Sequence, residues 1–295
     1  MPISLLSWSH MTVAKQILVT MRPRQWVKNV FVFSAPIAAE SIFNFDVLKD
    51  SFIVFLIFTC ASASVYSVND LFDRESDSLH PIKSSRPLAS GDLSAQTGFS
   101  IGILTASTAL TVGFIYGFQI GLILLVYLII NFLYSSFFKR IAYIELVFVG
   151  SGFSLRAVAG GLSTETELTF IFVFVISAFA LFLVSCKRYS ELVSYPTSMH
   201  RYSLTKYSER SLTLVMVMFS SSGIIGYIIW VLMSDNSFLL LMIVSCVALL
   251  LGTVRVYFLA VKGRSEDPSM LIINDPFLTL LTIFWLTSFF GAVYV

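Results

Sequence analysis

Tyr66-Ser67-Val68-Asn69-Asp70-Leu71-Phe72-Asp73-Arg74-Glu75-Ser76-Asp77-Ser78-Leu79-His80-Pro81-Ile82-Lys83-Ser84-Ser85-Arg86-Pro87-Leu88-Ala89-Ser90-Gly91 is the densest polar stretch of a chain that is otherwise mostly apolar. If the helix entering it continues past Asp77, a rotation of about 100° per residue puts Asn69, Asp73, Asp77 and Asp70 at about 0°, 40°, 80° and 100°. These oxygen-bearing side chains then share one face, while Glu75 points away. Pro81 and Pro87 force the chain out of helix, since proline has no N–H to donate and its ring clashes with the preceding turn. Lys83 and Arg86 fall in the irregular part, free to lean back over the acidic face. Carboxylates with an amide, no cysteine and a single histidine nearby suit a hard cation. Mg2+ takes one or two carboxylates and leaves its other positions to water and phosphate oxygens. The plain alternative is a solvated loop of mixed charge; aligned oxygen donors followed by two placed cations favour a metal–phosphate site.

The surroundings of this stretch are those of a membrane protein. Hydrophobic residues make up 57% of the chain and charged residues 12%, with a mean hydropathy of +0.86, whereas a soluble domain carries about 25% charged residues. Apolar runs repeatedly reach the roughly 20 residues that a bilayer requires. The Met1–Thr20 stretch shows no clean small-residue cleavage site, so no removable signal peptide is expected. Cys60, Cys186 and Cys246 are too scattered for a metal site or a disulfide framework and read as packing residues.

The hydropathy pattern predicts an all-α, polytopic bundle of about nine transmembrane helices, at 27–45, 50–70, 96–116, 119–138, 143–162, 168–187, 211–233, 237–259 and 277–295. Lys and Arg collect on one side: Arg22, Arg24 and Lys28, the 70–95 loop, Lys139-Arg140, the 187–210 loop with Lys187, Arg188, Arg201, Lys206 and Arg210, then Lys262 and Arg264. Glu40, Asp46, Asp50, Glu165, Glu167 and Asp235 fall on the other, where Lys49 is the only cation. The positive-inside rule makes the basic side cytoplasmic and the N-terminus with it. Residues 1–295 are expected to form a single integral-membrane domain of the cell's inner (plasma) membrane. Residues 1–25 would be a cytoplasmic segment, and 70–95 and 187–210 cytoplasmic active-site loops. The 28 phenylalanines line a lipid groove or simply face the bilayer.

A second charged cluster, Lys187-Arg188-Tyr189-Ser190-Glu191, closes the sixth expected span. Lys187 and Glu191 are one turn apart, as in many surface helix pairs. Lys139 and Arg140, after Tyr134, carry the same ambiguity between phosphate contact and interfacial anchor. Arg156 lies in mid-span, where facing lipid costs several kcal/mol, so it must face the bundle interior. Glu145, three turns away on the same face, could frame one polar seam with it. Before the first span, Arg22-Pro23-Arg24-Gln25-Trp26-Val27-Lys28-Asn29 reads as an interfacial anchor or a phosphate contact.

One acidic cluster and several basic ones on one face fit cleavage of a carbon–oxygen bond to a diphosphate, with a metal and cations stabilising the leaving pyrophosphate. No nucleophile–base pair, P-loop or zinc constellation is present. Nothing calls for a nucleic-acid partner, and the sequence leaves a homo-oligomer open.

Asn69-Asp70-x-x-Asp73-x-x-x-Asp77 resembles the first Asp-rich motif of the UbiA-type intramembrane prenyltransferase superfamily. Other motifs look like its decaprenyl-phosphate phosphoribosyltransferase branch: Arg22-Pro23-Arg24-Gln25-Trp26-x-Lys28-Asn29, His80-Pro81-x-Lys83-x-x-Arg86-Pro87, Tyr134 with Lys139-Arg140, Gly152 through Gly161 with Arg156, and Lys187-Arg188-Tyr189-x-Glu191. The resemblance covers nearly the whole chain. It implies nine helices, 5-phosphoribosyl 1-diphosphate as donor, a polyprenyl phosphate as acceptor and arabinan-type wall synthesis as destination. It implies Mg2+ on Asn69, Asp73 and Asp77, with Asp70 as ligand or neighbour, and Asp70, Asp73, Asp77 and Lys187 as catalytic residues. Substrate contacts would come from Arg24, Lys28, Lys83, Arg86, Tyr134, Lys139, Arg140, Arg156, Arg188 and Glu191. Where prenyltransferases of the superfamily have a second Asp-rich motif, this chain has two cations and one carboxylate, which suits a donor with an extra phosphate. Glu145 stands where an aspartate is expected. The alternatives are a prenyltransferase moving a polyprenyl group from its diphosphate to an aromatic acceptor, and a transporter of a phosphorylated solute. Against the transporter stand the absence of a repeat and of ionisable residues at mid-membrane beyond Arg156.

Overall fold

The computed structural model describes residues 12–80, 82–194, 203–233 and 238–294, and among these the chain is helical with no strand. Residues 1–11 of the N-terminal segment, Pro81, residues 195–202 with Arg201, Asp235 and Val295 lie outside the described residues. Among the described residues, eight helices are long and apolar enough to cross a membrane. A helix satisfies its backbone within one segment, as a solvent without hydrogen bonds demands. The chain is an all-α integral membrane protein.

In order, α1 is Val13–Met21, α2 Ser34–Ala38, α3 Phe45–Phe72, α4 Arg74–Ser78, α5 Pro87–Ser90 and α6 Ala95–Tyr116. They are followed by α7 Phe118–Ser136, α8 Ile144–Ser163, α9 Phe170–Ser194, α10 Glu209–Met233, α11 Leu239–Val261, α12 Pro268–Asn274 and α13 Pro276–Tyr294. They group into two compact units, one from the described parts of Met1–Asn29 and Phe55–Ser136, the other from those of Val30–Val54 and Phe137–Val295.

In the first unit, α3 and α6 are stitched by hydroxyls. Ser64 Oγ donates to the Gly102 carbonyl and Ser67 Oγ to that of Gly98, both at 2.7 Å, a use of small polar residues suited to helices in lipid. The buried Asn29 donates to Thr59 Oγ1 at 3.1 Å and accepts from Ser62 Oγ at 3.2 Å. Ser94 caps α6 by accepting from the Thr97 N–H, as an N-cap serine does.

In the second unit, α9 packs on α8, α10 and α11, and α11 on α13, around a core that includes Leu146, Phe182, Leu212, Met216 and Leu259. Asp275 stands before Pro276 and accepts from the Leu278 N–H at 2.9 Å, capping α13. It also pairs with Arg255 of α11 at 2.7 Å. The Arg255 hydrogen bond holds the Asp275 carboxyl below its ordinary range.

The stretch expected as a span at 27–45 takes another form. Pro23–Phe33 is a 3₁₀ helix of 11 residues running into α2, which has 5. At about 2.0 Å of rise per 3₁₀ residue and 1.5 Å per α residue, the two reach about 30 Å, the thickness of a hydrocarbon core. Pro36 has no N–H to give the carbonyl of Val32 one turn back. That carbonyl is turned toward α8, so close that a Cβ on Gly160 would lie 1.8 Å from its oxygen.

Among the described residues, both polar stretches carry helix. Region 70–95 contains α4, a 3₁₀ turn at Lys83–Ser85 and α5. Helix α9 continues to Ser194, so Lys187, Arg188 and Glu191 sit on a helix rather than in a loop. Lysine, arginine and glutamate are good helix formers, and Arg188 pairs with Glu191 three residues on at 2.7 Å.

Gly160→Ala is expected to destabilise the protein by about 1–3 kcal/mol, because the new methyl must displace backbone rather than a flexible side chain. Gly252→Ala, whose Cβ would meet only Leu278 Cδ1 at 3.8 Å, is expected to be near neutral. Thermal unfolding of the two variants in one detergent checks the contrast, and equal melting temperatures would refute the close approach.

Candidate active site

The Asp-rich motif straddles the end of α3. Helix α3 stops at Phe72, Asp73 takes φ −93° and ψ 0°, and α4 begins at Arg74. The i to i−4 bonding nevertheless persists, from Asp73 N–H to Asn69 O at 2.9 Å and from Asp77 N–H to Asp73 O at 2.7 Å. The four oxygen-bearing residues therefore stay near the register of a continuous helix. Glu75 is exposed.

Within this register the side chains separate into two groups. Asp70 and Asp77 are buried and held by cations. Arg86 Nη1 reaches Asp70 Oδ1 at 3.1 Å and Asp77 Oδ2 at 2.5 Å, Lys83 Nζ lies 3.9 Å from Asp77 Oδ1, and Arg22 Nη2 is bonded to Asp70. Arg22 is in the left-handed region at φ 53° and closes α1 with its own N–H. Its guanidinium lies 5.1 Å over the Tyr66 ring, a cation–π contact. Asn69 and Asp73 are half-exposed, with Asn69 Nδ2 donating to Asp73 Oδ2 at 3.0 Å and Ser135 Oγ donating to Asn69 Oδ1 at 3.4 Å.

Among the described residues, no three His, Cys, Asp or Glu side chains come close enough to hold a metal by themselves. The donor set still fits Mg2+. An amide and a carboxylate oxygen within one turn, with Asp77 next along, supply the few oxygens that this ion takes from a protein. Asp77 would then be shared with Arg86.

The second unit holds the other cluster. Glu145 is fully buried and receives Arg188 in a two-pronged pair, Nε to Oε1 at 3.0 Å and Nη2 to Oε2 at 2.9 Å. Arg188 Nη1 also binds Glu191 at 2.7 Å, and Tyr207 donates to Glu145 Oε1 at 3.2 Å. Burial first, then the Glu145 charge, pushes the Tyr207 phenol well above its ordinary range, so it stays a donor. Its oxygen accepts the Tyr143 N–H at 2.9 Å, which steadies a backbone at φ 65° that a tyrosine rarely adopts. Lys187 is the more open cation, its side chain 38% exposed and 4.0 Å from Glu191.

The remaining expected residues scatter. Arg24 and Arg140 are exposed, and Lys28, Tyr134 and Lys139 are half-buried. Arg156 is buried as its position requires and donates to the Gly152 carbonyl at 2.7 Å. It lies about 16 Å of helix rise from Glu145, whose partners are Arg188 and Tyr207 instead. Sequence reading singled out neither Arg22 as the partner of Asp70 nor Tyr207 as that of Glu145. Arg22 stood in a noted basic motif, whereas nothing local marks Tyr207.

Fold and site together define a polytopic helical membrane protein with an Asp-rich, cation-clasped motif at a helix end. The chain belongs to the UbiA prenyltransferase family, which matches residues 30–281. It is 31% identical over 298 residues to the decaprenyl-phosphate phosphoribosyltransferase of Corynebacterium glutamicum, covering 96% of this chain and 88% of that one. To the enzyme of the same name from Mycobacterium tuberculosis it is 29% identical over 283 residues, covering 94% of each. A UbiA homologue from Archaeoglobus fulgidus, solved bound to DMAPP and Mg2+, shares the fold with a TM-score of 0.73 at 17% identity, over 95% of this chain and 99% of that one.

Glu145→Gln is expected to cost about 3–5 kcal/mol, the usual effect of breaking a buried ion pair from one side. Tyr207→Phe, losing one hydrogen bond, should cost about 1 kcal/mol. The raised Tyr207 pKa means that the neutral donor's contribution is complete below the ordinary phenol value of about 10 and is lost as pH rises from there through the higher folded value. Melting temperatures against pH for the wild type and both variants check all of this. A Glu145→Gln protein as stable as wild type would refute the clamp.

Proposed function

We propose that the chain, as one transferase domain over residues 1–295, moves the 5-phosphoribosyl group of 5-phosphoribosyl 1-diphosphate onto a polyprenyl phosphate. The observation that carries this reading is the set of cations against the acidic motif. Arg22, Lys83 and Arg86 all lie on Asp70 or Asp77, three cations against two buried carboxylates, one positive charge more than that pairing uses. A donor with an additional 5-phosphate gives that charge a purpose. Near full-length relatives bearing the phosphoribosyltransferase name support the same reading. The multi-pass chain would lie in the inner (plasma) membrane with this site on the cytoplasmic side, where a soluble phosphorylated sugar is supplied. The lipid product would feed cell-envelope glycan of the arabinan type.

In the reaction the C1–O bond to the diphosphate breaks, its electron pair leaving with pyrophosphate, and an ionised oxygen of the acceptor phosphate forms the new bond to C1. An acceptor already ionised needs no strong base. Mg2+ held by Asn69, Asp73 and Asp77 would neutralise the leaving diphosphate. Asp70, clasped by Arg22 and Arg86, sets the position of both guanidinium groups. Lys83 and Arg86 would meet donor phosphates, as would Lys187 with the exposed or half-exposed Arg24, Lys28, Lys139 and Arg140. Arg188, fully engaged by Glu145 and Glu191, would act by holding the end of α9 in place, and Arg156 by lining the interior of the second unit. Tyr134 remains a substrate contact in this reading.

Purified protein given labelled donor, Mg2+ and polyprenyl phosphate should yield labelled lipid. Asp73→Asn should abolish transfer while leaving the protein folded. Lys187→Ala should raise the donor KM by about 10- to 150-fold, the worth of one charge-assisted hydrogen bond, with a smaller change in kcat. Label moving instead from an allylic diphosphate to an aromatic acceptor would replace this reading with prenyl transfer, and full activity in Asp73→Asn would remove the metal assignment.

A further inference from the structure

The connection leading into α8 ends in a turn that tyrosine rarely makes. At Tyr143 the backbone takes φ 65° and ψ −44°, and the Ile144 N–H bonds back across it to the Ala142 carbonyl at 2.8 Å. A bond from residue i to i+2 around a positive φ is a γ-turn of the rare, strained kind. Glycine takes up such a backbone readily, whereas a residue with a Cβ is driven out of it unless its surroundings hold it there.

The hold comes from the buried Tyr207, 64 residues on. Its hydroxyl oxygen accepts the Tyr143 N–H at 2.9 Å, and its hydrogen goes to Glu145 Oε1 at 3.2 Å. Glu145 is in turn fixed by both prongs of Arg188. The hydroxyl therefore cannot swing away without giving up a buried carboxylate. The two tyrosine rings also meet edge to face, with centroids 4.9 Å apart.

Just before this turn stand Lys139 and Arg140. They occupy a short 3₁₀ helix, Phe138–Arg140, whose Phe138 ring stacks on that of Phe148 in α8 with centroids 4.4 Å apart. Between the two cations and Tyr143 come only Ile141 and Ala142, and Ala142 packs against the core of the second unit. The Ile141 N–H bonds to the Phe138 carbonyl at 3.0 Å, and the Glu145 N–H to the Ile141 carbonyl at 3.1 Å. Lys139 and Arg140 thus ride on a strap pinned at one end by Phe138 and at the other by Tyr143.

We infer that Tyr207 is a positioning residue for the donor: by holding the Tyr143 turn, it sets where the strap presents its two cations. The inference rests on the proposed phosphoribosyl transfer, in which Lys139 and Arg140 meet donor phosphates. A strap fixed before the donor arrives loses less freedom on binding than a wandering loop would, and that saving appears as affinity. Tyr207 touches no substrate in this role and acts only through the backbone of Tyr143.

The test measures binding of labelled 5-phosphoribosyl 1-diphosphate, with Mg2+, to the whole purified protein, beside hydrogen exchange of the 138–145 backbone. Tyr207→Phe should weaken donor binding by about tenfold, the worth of one hydrogen bond spent on holding the strap. It should also speed exchange across the strap and leave the acceptor KM unchanged. Tyr227→Phe removes an equally buried hydroxyl, bonded to Ser245 Oγ at 2.9 Å and about 27 Å of helix rise along α10, and should leave donor binding as it is. Tyr143→Gly keeps the N–H and relieves the strain, so Tyr207→Phe should cost the donor much less in that background. A folded Tyr207→Phe protein with wild-type donor affinity overturns the inference, as does an equal loss in both backgrounds. Wild-type affinity in both Lys139→Ala and Arg140→Ala overturns it too, since the strap would then meet no donor. If Tyr207→Phe fails to fold, the wild type decides: a Tyr143 amide that exchanges as fast as an open loop rules the latch out. A wild-type protein that binds no donor sinks the transferase reading itself, whereas equal donor binding by wild type and Tyr207→Phe sinks the positioning role alone.

Discussion

A buried charged side chain needs opposite charge or hydrogen-bond donors held against it, because taking a single ion out of water costs several kcal/mol. Asp70 and Glu145 both meet this demand, and each does so with more than one partner. Asp70 is gripped by Arg22 and Arg86, Glu145 by Arg188 and Tyr207. Once these pairs are made, what is left over becomes informative. Asn69 and Asp73 are half-exposed in the first unit, and the Lys187 side chain is 38% exposed in the second, so they are more open than the buried carboxylates beside them. Pairing thus leaves each motif with a buried part and a more open part.

The division explains what could be read in advance and what could not. Apolar runs of bilayer length are a local property, and eight of the expected spans appear as helices. The common face of Asn69, Asp73 and Asp77 is likewise local, since it depends only on helical rotation. Arg188 shows the limit. Beside Lys187 it reads as a phosphate contact, and the buried carboxylate that it pairs with lies 43 residues away. Arg22 and Asp70 are 48 apart. No spacing rule reaches across such a distance without knowing which helices touch.

The first expected span takes another helical form for a different reason. Hydropathy measures apolar length and is blind to the pitch of the backbone. The missing N–H of Pro36 was visible in the sequence. The approach of the Val32 carbonyl to Gly160 depends on where α8 stands, and that was not. A chain sharing 17% identity with a solved homologue keeps the same fold, which fits a structure specified by apolar length, small residues at crossings and paired charges more than by particular side chains.

Arg22 joins two jobs that are usually separate. Its backbone, at φ 53°, ends α1, and its side chain grips a buried carboxylate on α3. Helix α1 leans on α5 and α6. One residue therefore both ends α1 and holds a buried carboxylate of the acidic motif, so a substitution at position 22 disturbs a helix terminus and an ion pair at once.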